Sequence, residues 1–179
     1  MKNHSRLIHA AAAAVLAATL FPAQAQEVTL KVHFFLPATS FANTLFIQPW
    51  CEKIAKESNN RMTCQSYPSM QLGGTPPQLF EQARDGVADV VWTLPGYTAG
   101  RFPSVEVFEL PFMMQSPEAT SKALWDYVEQ YAGAEFKDVK PLAFHVHGDG
   151  VFHMTNKPVR TAADLKGLKL RAPTRTTNK

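Results

Sequence analysis

The chain of 179 residues carries 18 basic and 15 acidic side chains, and 45% of its residues are hydrophobic. Without its first 25 residues it keeps 154 residues and a near-neutral balance of 16 basic and 15 acidic side chains. That length suffices for one domain with an apolar core. The balance argues against nucleic acid as the main partner, because neutralising phosphates takes a concentrated basic patch.

The first 25 residues have the three parts of a secretory signal peptide. Lys2 and Arg6 supply positive charge, residues 7–21 are apolar, and the sequence A-Q-A ending at Ala25 has the small-x-small pattern of a cleavage site. The apolar stretch is shorter than the roughly 20 residues of a membrane span. An uncleaved anchor is the alternative, but the polar residues that follow Ala25 favour cleavage. We therefore expect an exported protein.

The chain has two cysteines, Cys51 and Cys64. Export places them in an oxidising compartment, where disulfides persist. A helix and the strand after it, joined by a tight turn, would bring the two residues together, which predicts a Cys51–Cys64 disulfide. Two separate buried thiols are the alternative. Neither cysteine has further Cys or His residues at the short spacing of a zinc site.

The first strands and helices of the mature chain are predicted from the spacing of apolar residues and from the residues that form turns. Residues 28–35 alternate as a strand that Pro37 stops. Residues 41–58 have helical apolar spacing, although Pro49 should kink this helix or delay its start. Asn59 and Asn60 then form a turn, and residues 61–67 form the second strand.

The next helix begins at Thr75, which caps it ahead of two prolines in its first turn. Leu79, Phe80 and Ala83 are its predicted buried face, and Gly86 ends it. A short apolar strand over residues 88–93 follows, which is suited to burial on both faces.

The remainder of the chain is predicted to repeat this alternation. Ser116 caps a helix that runs to about residue 134, and strands are predicted over Val139–His147, Val151–Asn156 and Leu168–Arg171. Strands that alternate with helices predict an α/β fold with a largely parallel sheet.

Four motifs follow one another along the mature chain: Y-P-S-M-Q-L-G-G at residues 67–74, D-G-V-A-D at 85–89, F-E-L-P-F at 108–112 and L-K-G-L-K-L-R-A-P at 165–173. They resemble, in this order, the motifs of the TRAP transporter solute-binding proteins, the DctP family. Together they extend over most of the mature chain.

The resemblance implies a periplasmic receptor of the type II periplasmic-binding-protein class, with two α/β lobes and a ligand cleft between them. It divides the chain into a signal peptide (1–25), lobe I (26–138) and the start of lobe II (139–179). The implied partners are a small organic acid and the membrane subunits of an ion-gradient-driven transporter. Family members continue well past the last motif, so we expect an incomplete second lobe.

Arg171 is the sharpest candidate for binding the ligand. The resemblance implies that this arginine pairs with the ligand carboxylate, and a guanidinium matches a carboxylate with two parallel hydrogen bonds. Arg171 also ends a predicted strand, where clefts of α/β folds bind ligands. From its position alone, an exposed arginine at a strand end is the alternative.

The other predicted cleft residues are Phe35, Trp92, Tyr97 and His147. Phe35 and Trp92 end predicted strands and are equally compatible with a role in the core, whereas Tyr97 follows a Pro-Gly loop. An aromatic wall opposite one cation favours a monocarboxylate with an aromatic or branched apolar body. A second carboxylate would need another cation, and Arg101 is expected at the exposed end of its loop.

One segment suggests a different function. His145, His147 and Asp149 resemble part of the ligand set of zinc hydrolases, because alternate residues of a strand share a face. That motif continues with another histidine after the aspartate, where this chain has Gly150. A receptor without catalysis, cofactor or metal is therefore the favoured interpretation, with a secreted zinc hydrolase as the alternative.

Overall fold

A computed structural model describes residues 27–155 and 157–174, so the predicted signal peptide lies outside the described residues. The described part has three strands: β1 (Val28–Phe34), β2 (Met62–Tyr67) and β3 (Val90–Trp92). They form one parallel sheet in the order β2-β1-β3. With helices between the strands, this is the predicted α/β fold.

The central strand β1 is buried most deeply at its carboxyl end. It pairs with β2 from Val28↔Met62 to His33↔Tyr67 and with β3 from Val32↔Val90 to Phe34↔Trp92. Val32 and Phe34 lie in the core with Ile47. Full burial of each such side chain contributes about 1.5–3 kcal/mol. Neighbouring strands on both sides leave this end of β1 almost no exposed surface.

The first helix starts with a widened turn ahead of its proline. A π-helical turn over Asn43–Ile47 leads directly into α1 (Gln48–Glu57), with Pro49 in the first turn of α1. A proline lacks the backbone N–H and its ring crowds the carbonyl four residues earlier. A π turn accommodates both effects. Pro49 therefore changes the first part of the helix without ending it.

The predicted disulfide joins Cys51 in α1 to Cys64 in β2, with 5.6 Å between the two Cα atoms. Asn59 and Asn60 make the turn between these elements, both with positive φ. The prediction of the disulfide is confirmed, and the bridge covalently fixes α1 to the edge strand.

The second helix, α2 (Leu79–Arg84), follows a 3₁₀ turn over Pro76–Gln78. The side-chain oxygen of Gln78 accepts hydrogen bonds from the backbone N–H and the hydroxyl of Thr75, at 2.8 and 3.1 Å. Gly86 has a φ of +74° just after the helix, a conformation that costs glycine little. The predicted start and end of this helix are confirmed.

A second core lies among the helices that follow β3. These are α3 (Pro103–Glu106) and α4 (Pro117–Tyr127), the latter continued by a π turn over Val128–Ala132 and a 3₁₀ turn over Gly133–Phe136. The hydroxyl of Ser116 accepts the N–H of Ala119 at 3.2 Å and caps α4 as predicted. The buried members of this core are Phe102, Val105, Leu124, Val128, Ala132 and Phe136, together with Phe80 of α2.

The three strands predicted after residue 138 are wrong within the described residues. The segments Val139–His147, 151–155 and Leu168–Arg171 have irregular backbone. A strand requires a ladder of hydrogen bonds to a neighbour. Here the N–H of Val146 instead binds the hydroxyl of Ser121 at 2.9 Å.

Apolar residues of the first of these segments pack against the second core. Val139, Phe144 and Val146 contact the cluster that contains Phe136. The proposed division between lobes at residue 138 stays a prediction. No helix in the described part of the chain is both long and apolar enough to cross a membrane.

Candidate ligand site

The carboxyl ends of β1 and β3 lie side by side and carry the predicted aromatic residues. Phe34 is the register partner of Trp92 in the adjacent strand. Phe35 follows directly, and its ring meets that of Tyr97 edge to face, with centroids 5.4 Å apart and planes at 75°. The structure thus brings Phe35 and Tyr97 into contact at the edge where α/β sheets bind ligands.

Trp92 lies between two aromatic rings. Its ring is 5.0 Å from that of His145 at 90°, and 5.8 Å from that of Phe46 at 77°. Phe46 is 53% exposed even though it contacts Trp92. Sequence reasoning missed Phe46 and considered His145 only as a zinc ligand.

The rings at this edge form two groups, Phe35 with Tyr97 and Trp92 with Phe46 and His145, and we call the two groups together the aromatic wall. Phe35, Trp92 and Tyr97 are each partly buried. Edge-to-face contacts between such rings contribute about 0.5–1.5 kcal/mol each beyond area burial. These contacts pack the rings against one another while part of each surface stays open.

Partial burial against the ring of Trp92 lowers the pKa of His145 below its ordinary value of 6.5, although much of the residue stays exposed. Desolvation is the largest cause, and the nearby His147 lowers the pKa further, while a backbone hydrogen bond with Val146 opposes both. At neutral pH the ring beside Trp92 is therefore mostly uncharged. The wall presents an apolar and aromatic surface there.

His147 has different contacts. Like His145 it is exposed, but its Nδ1 lies 2.7 Å from the backbone oxygen of Gly148. His145 and His147 thus face different surroundings. Within residues 27–155 and 157–174, no group of three or more His, Cys, Asp and Glu side chains is arranged to hold a metal ion.

Arg101 is engaged in the fold, which corrects its expected place at the exposed end of a loop. It forms an ion pair with Glu81 of α2, and its guanidinium lies 4.4 Å from the centroid of the Phe80 ring. Its side chain is 32% exposed. Glu81 holds Arg84 as well. The Arg101 charge is consequently neutralised by a carboxylate of α2.

Arg171 is exposed, and it follows an irregular segment rather than the strand that was predicted. A 3₁₀ turn over Ala162–Leu165 precedes it, and Gly167 has a φ of +78°. Among the described residues its guanidinium has no hydrogen bond, ion pair or cation–π contact. The structure brings Phe35, Trp92 and Tyr97 to one edge, and it does not bring Arg171 into contact with them.

The Y-P-x-x-Q-L-G motif supports the edge that carries the wall. The N–H groups of Ser69 and Met70 donate to the backbone oxygens of Leu36 and Phe34, at 2.9 and 3.1 Å. Both residues have positive φ, of 52° and 60°. This strained loop holds the chain on either side of Phe35, so the motif has a structural role next to the site.

Comparison with known proteins agrees with this arrangement. The model of the DctP family, described as bacterial extracellular solute-binding protein, family 7, matches residues 36–179. The outer membrane transporter protein TsaT of Comamonas testosteroni is 30% identical over 162 residues, which are 89% of this chain and 47% of TsaT.

Two solved TRAP solute-binding proteins are more similar. One is from Rhodoferax ferrireducens T118 and contains copurified benzoate; it is 56% identical to this chain, with a TM-score of 0.79. The alignment covers 82% of this chain and 46% of the Rhodoferax chain. The other, from a marine metagenome and specific for aromatic acid ligands, was crystallised with 3-hydroxybenzoate. It is 53% identical to this chain, with a TM-score of 0.80, and the alignment covers 84% of this chain and 47% of the metagenome chain.

The chain thus spans about half the length of these relatives. The family match covers well over half of the chain itself. The resemblance seen in the four sequence motifs is confirmed: the chain belongs to the bacterial extracellular solute-binding protein family 7, the DctP family.

Proposed function

We propose that this protein is a periplasmic receptor, exported through a cleaved signal peptide, that binds an aromatic monocarboxylate or one with a branched apolar body. It delivers that acid to the membrane subunits of a TRAP transporter and catalyses no reaction. The observation that carries the proposal is the aromatic wall, in which Phe35 packs edge to face on Tyr97 and Trp92 packs on Phe46 and His145.

The charge distribution around the wall supports a single carboxylate. Arg101 is neutralised by Glu81, and His145 is held toward its uncharged form. Arg171 is exposed and has no ion pair among the described residues, so its charge is available to a ligand. A second buried carboxylate would remain unpaired, which is costly because charges lose their hydration on burial.

The ligands of the two solved relatives support the same chemistry. The Rhodoferax protein holds benzoate and the metagenome protein holds 3-hydroxybenzoate, each an aromatic ring with one carboxylate. Both proteins share more than half of their aligned residues with this chain.

Calorimetric titration of the mature protein with five acids tests the proposal. We expect binding of benzoate, 3-hydroxybenzoate or isovalerate, and much weaker binding of succinate and gluconate. A sugar acid would leave several hydroxyls unpaired against the wall, each at a cost of about 1 kcal/mol or more. Binding confined to succinate or gluconate would overturn the proposal.

Variants of the two ends of the site sharpen this test. Arg171→Ala should weaken benzoate binding at least about tenfold, since a bidentate charge-assisted contact is worth roughly 1.5–3 kcal/mol. Arg160→Ala, which removes another exposed arginine, is the matched control. Phe35→Ala should weaken binding about fivefold, with the exposed Phe41→Ala as its control. Unchanged affinity in Arg171→Ala would contradict the role given to Arg171.

A further inference from the structure

Glu109 lies between two segments that carry candidate site residues. Its Oε2 accepts a hydrogen bond of 2.8 Å from the hydroxyl of Thr174, a residue only 8% exposed. Thr174 follows Arg171 by three positions. The segment that carries the proposed ligand-binding cation is therefore attached at this point to the F-E-L-P-F motif.

The same carboxylate packs on the loop that carries Tyr97. Gly96 is buried, and a Cβ atom added to it would lie 2.8 Å from both Cδ and Oε2 of Glu109, which is closer than real Cβ atoms approach other atoms. The φ of Gly96 is not in the left-handed region, so the requirement for glycine here is space. The Glu109 carboxylate thus lies directly against the backbone next to Tyr97.

We propose that Glu109 is a positioning residue that holds the Tyr97 loop and the Arg171 segment in a fixed relation. It thereby sets the distance between the aromatic wall and the cation, which must match the length of the ligand. This inference rests on the proposed function. The proposal has a physical basis because ligand affinity and specificity fall when binding groups are misplaced by about 1 Å.

Hydrogen exchange of the ligand-free protein tests the positioning directly. In Glu109→Ala, the backbone amides of Tyr97 and Leu168, which donate to the oxygens of Leu94 and Leu165, should exchange about tenfold faster, while those of β1 keep their rates. Glu109→Gln should restore slow exchange, because its side-chain oxygen still accepts the Thr174 hydroxyl. Glu52→Ala, at an exposed glutamate of α1, is the control for loss of charge. Wild-type rates in both segments, or equal acceleration in β1, would overturn the proposal.

A second pair of variants covers the case in which Glu109→Ala does not fold. Gly96→Ala should displace the carboxylate and accelerate exchange in both segments. Gly133→Ala is its matched control, since a Cβ added there meets only ordinary contact, at 3.7 Å from the Val128 oxygen. Identical exchange in Gly96→Ala and Gly133→Ala would overturn the proposal.

Benzoate affinity separates this proposal from the proposed function. If the wild type binds benzoate, Glu109→Ala should bind it at least about fivefold more weakly while its melting temperature stays close to that of Glu52→Ala. Equal affinity in the two variants would refute the positioning role. If the wild type binds no aromatic acid, the proposed function fails, and the hydrogen-exchange result alone decides the role of Glu109.

Discussion

The Nδ1 atom of His33 lies 2.7 Å from the side-chain oxygen of Gln82, which links the centre of the sheet to α2. His33 is completely buried, and its Nε2 accepts the N–H of Leu72 at 3.4 Å. Gln82 in turn donates to the backbone oxygen of Gly73 at 3.0 Å. One neutral tautomer of the imidazole satisfies both contacts, so a polar ring is accommodated in the core.

Replacing Gln82 by leucine should lower the free energy of unfolding by about 1–3 kcal/mol. The substitution leaves the buried Nδ1–H of His33 without an acceptor, and the cost is that of an unsatisfied buried donor. Urea denaturation measures the effect, with Gln130→Leu at an exposed position as control. Equal midpoints for the two variants would show that this hydrogen bond contributes nothing to stability.

Removing the disulfide should also destabilise the protein. The Cys51→Ser, Cys64→Ser double variant is expected to lose up to about 3 kcal/mol, because the bridge closes a short loop and limits the unfolded chain. Reduction of the wild type by dithiothreitol should give the same loss, and the double variant should not respond to the reductant. A wild type equally stable with and without reductant would contradict the prediction.

Stability should fall as the pH drops below about 6.5. The pKa of His145 is lower in the folded protein than its ordinary value of 6.5, so the unfolded chain takes up a proton first as the solution is acidified. The contribution of His145 is fully present above pH 6.5 and is lost as the pH falls toward the folded pKa.

Denaturation midpoints at pH 7.5 and 5.5 measure this effect. His145→Phe keeps an aromatic ring against Trp92 and removes the titration, so it should lose less stability on acidification than the wild type does. His153→Phe, at an exposed histidine, is the control. An identical pH response in the wild type and His145→Phe would refute the assignment.

The mature protein should begin at Gln26 or Glu27. Signal peptidase requires small residues one and three positions before the cut, and Ala25 and Ala23 provide them. Intact mass measurement of periplasmic protein checks this, and Ala25→Arg should block processing. A periplasmic protein that retains Met1 would contradict the prediction.

The first half of the fold could be predicted because its signals are local. The ends of its strands and helices are marked by turn-forming residues, namely Pro37, the Asn59-Asn60 pair and Gly86. The three observed strands begin and end within two residues of the predicted positions. The same alternation after residue 138 predicted strands that are absent from the described residues. Strand formation depends on a partner, which the sequence of one segment does not specify.

The candidate site was predictable in its residue types and only partly in its contacts. Phe35 and Tyr97 follow strand and loop signals, and they do meet. His33 stands at one of the polar positions of the alternating sequence of β1, yet it is completely buried. No sequence pattern distinguished Phe46, and the F-E-L-P-F motif did not indicate what Glu109 contacts. Both roles depend on residues that are distant in sequence, Trp92 for Phe46 and Thr174 for Glu109.

The sheet order β2-β1-β3 has a consequence for how the protein acquires its structure. β1 is the first strand in the sequence and the central strand of the sheet. Its contacts join residues that are 34 positions apart in the sequence on the side of β2 and 58 positions apart on the side of β3. Such long-range parallel pairing slows folding, because loop closure must precede the pairing. We therefore expect a chain interrupted before Trp92 to remain without a stable β1, a delay that suits the export before folding that we propose for this protein.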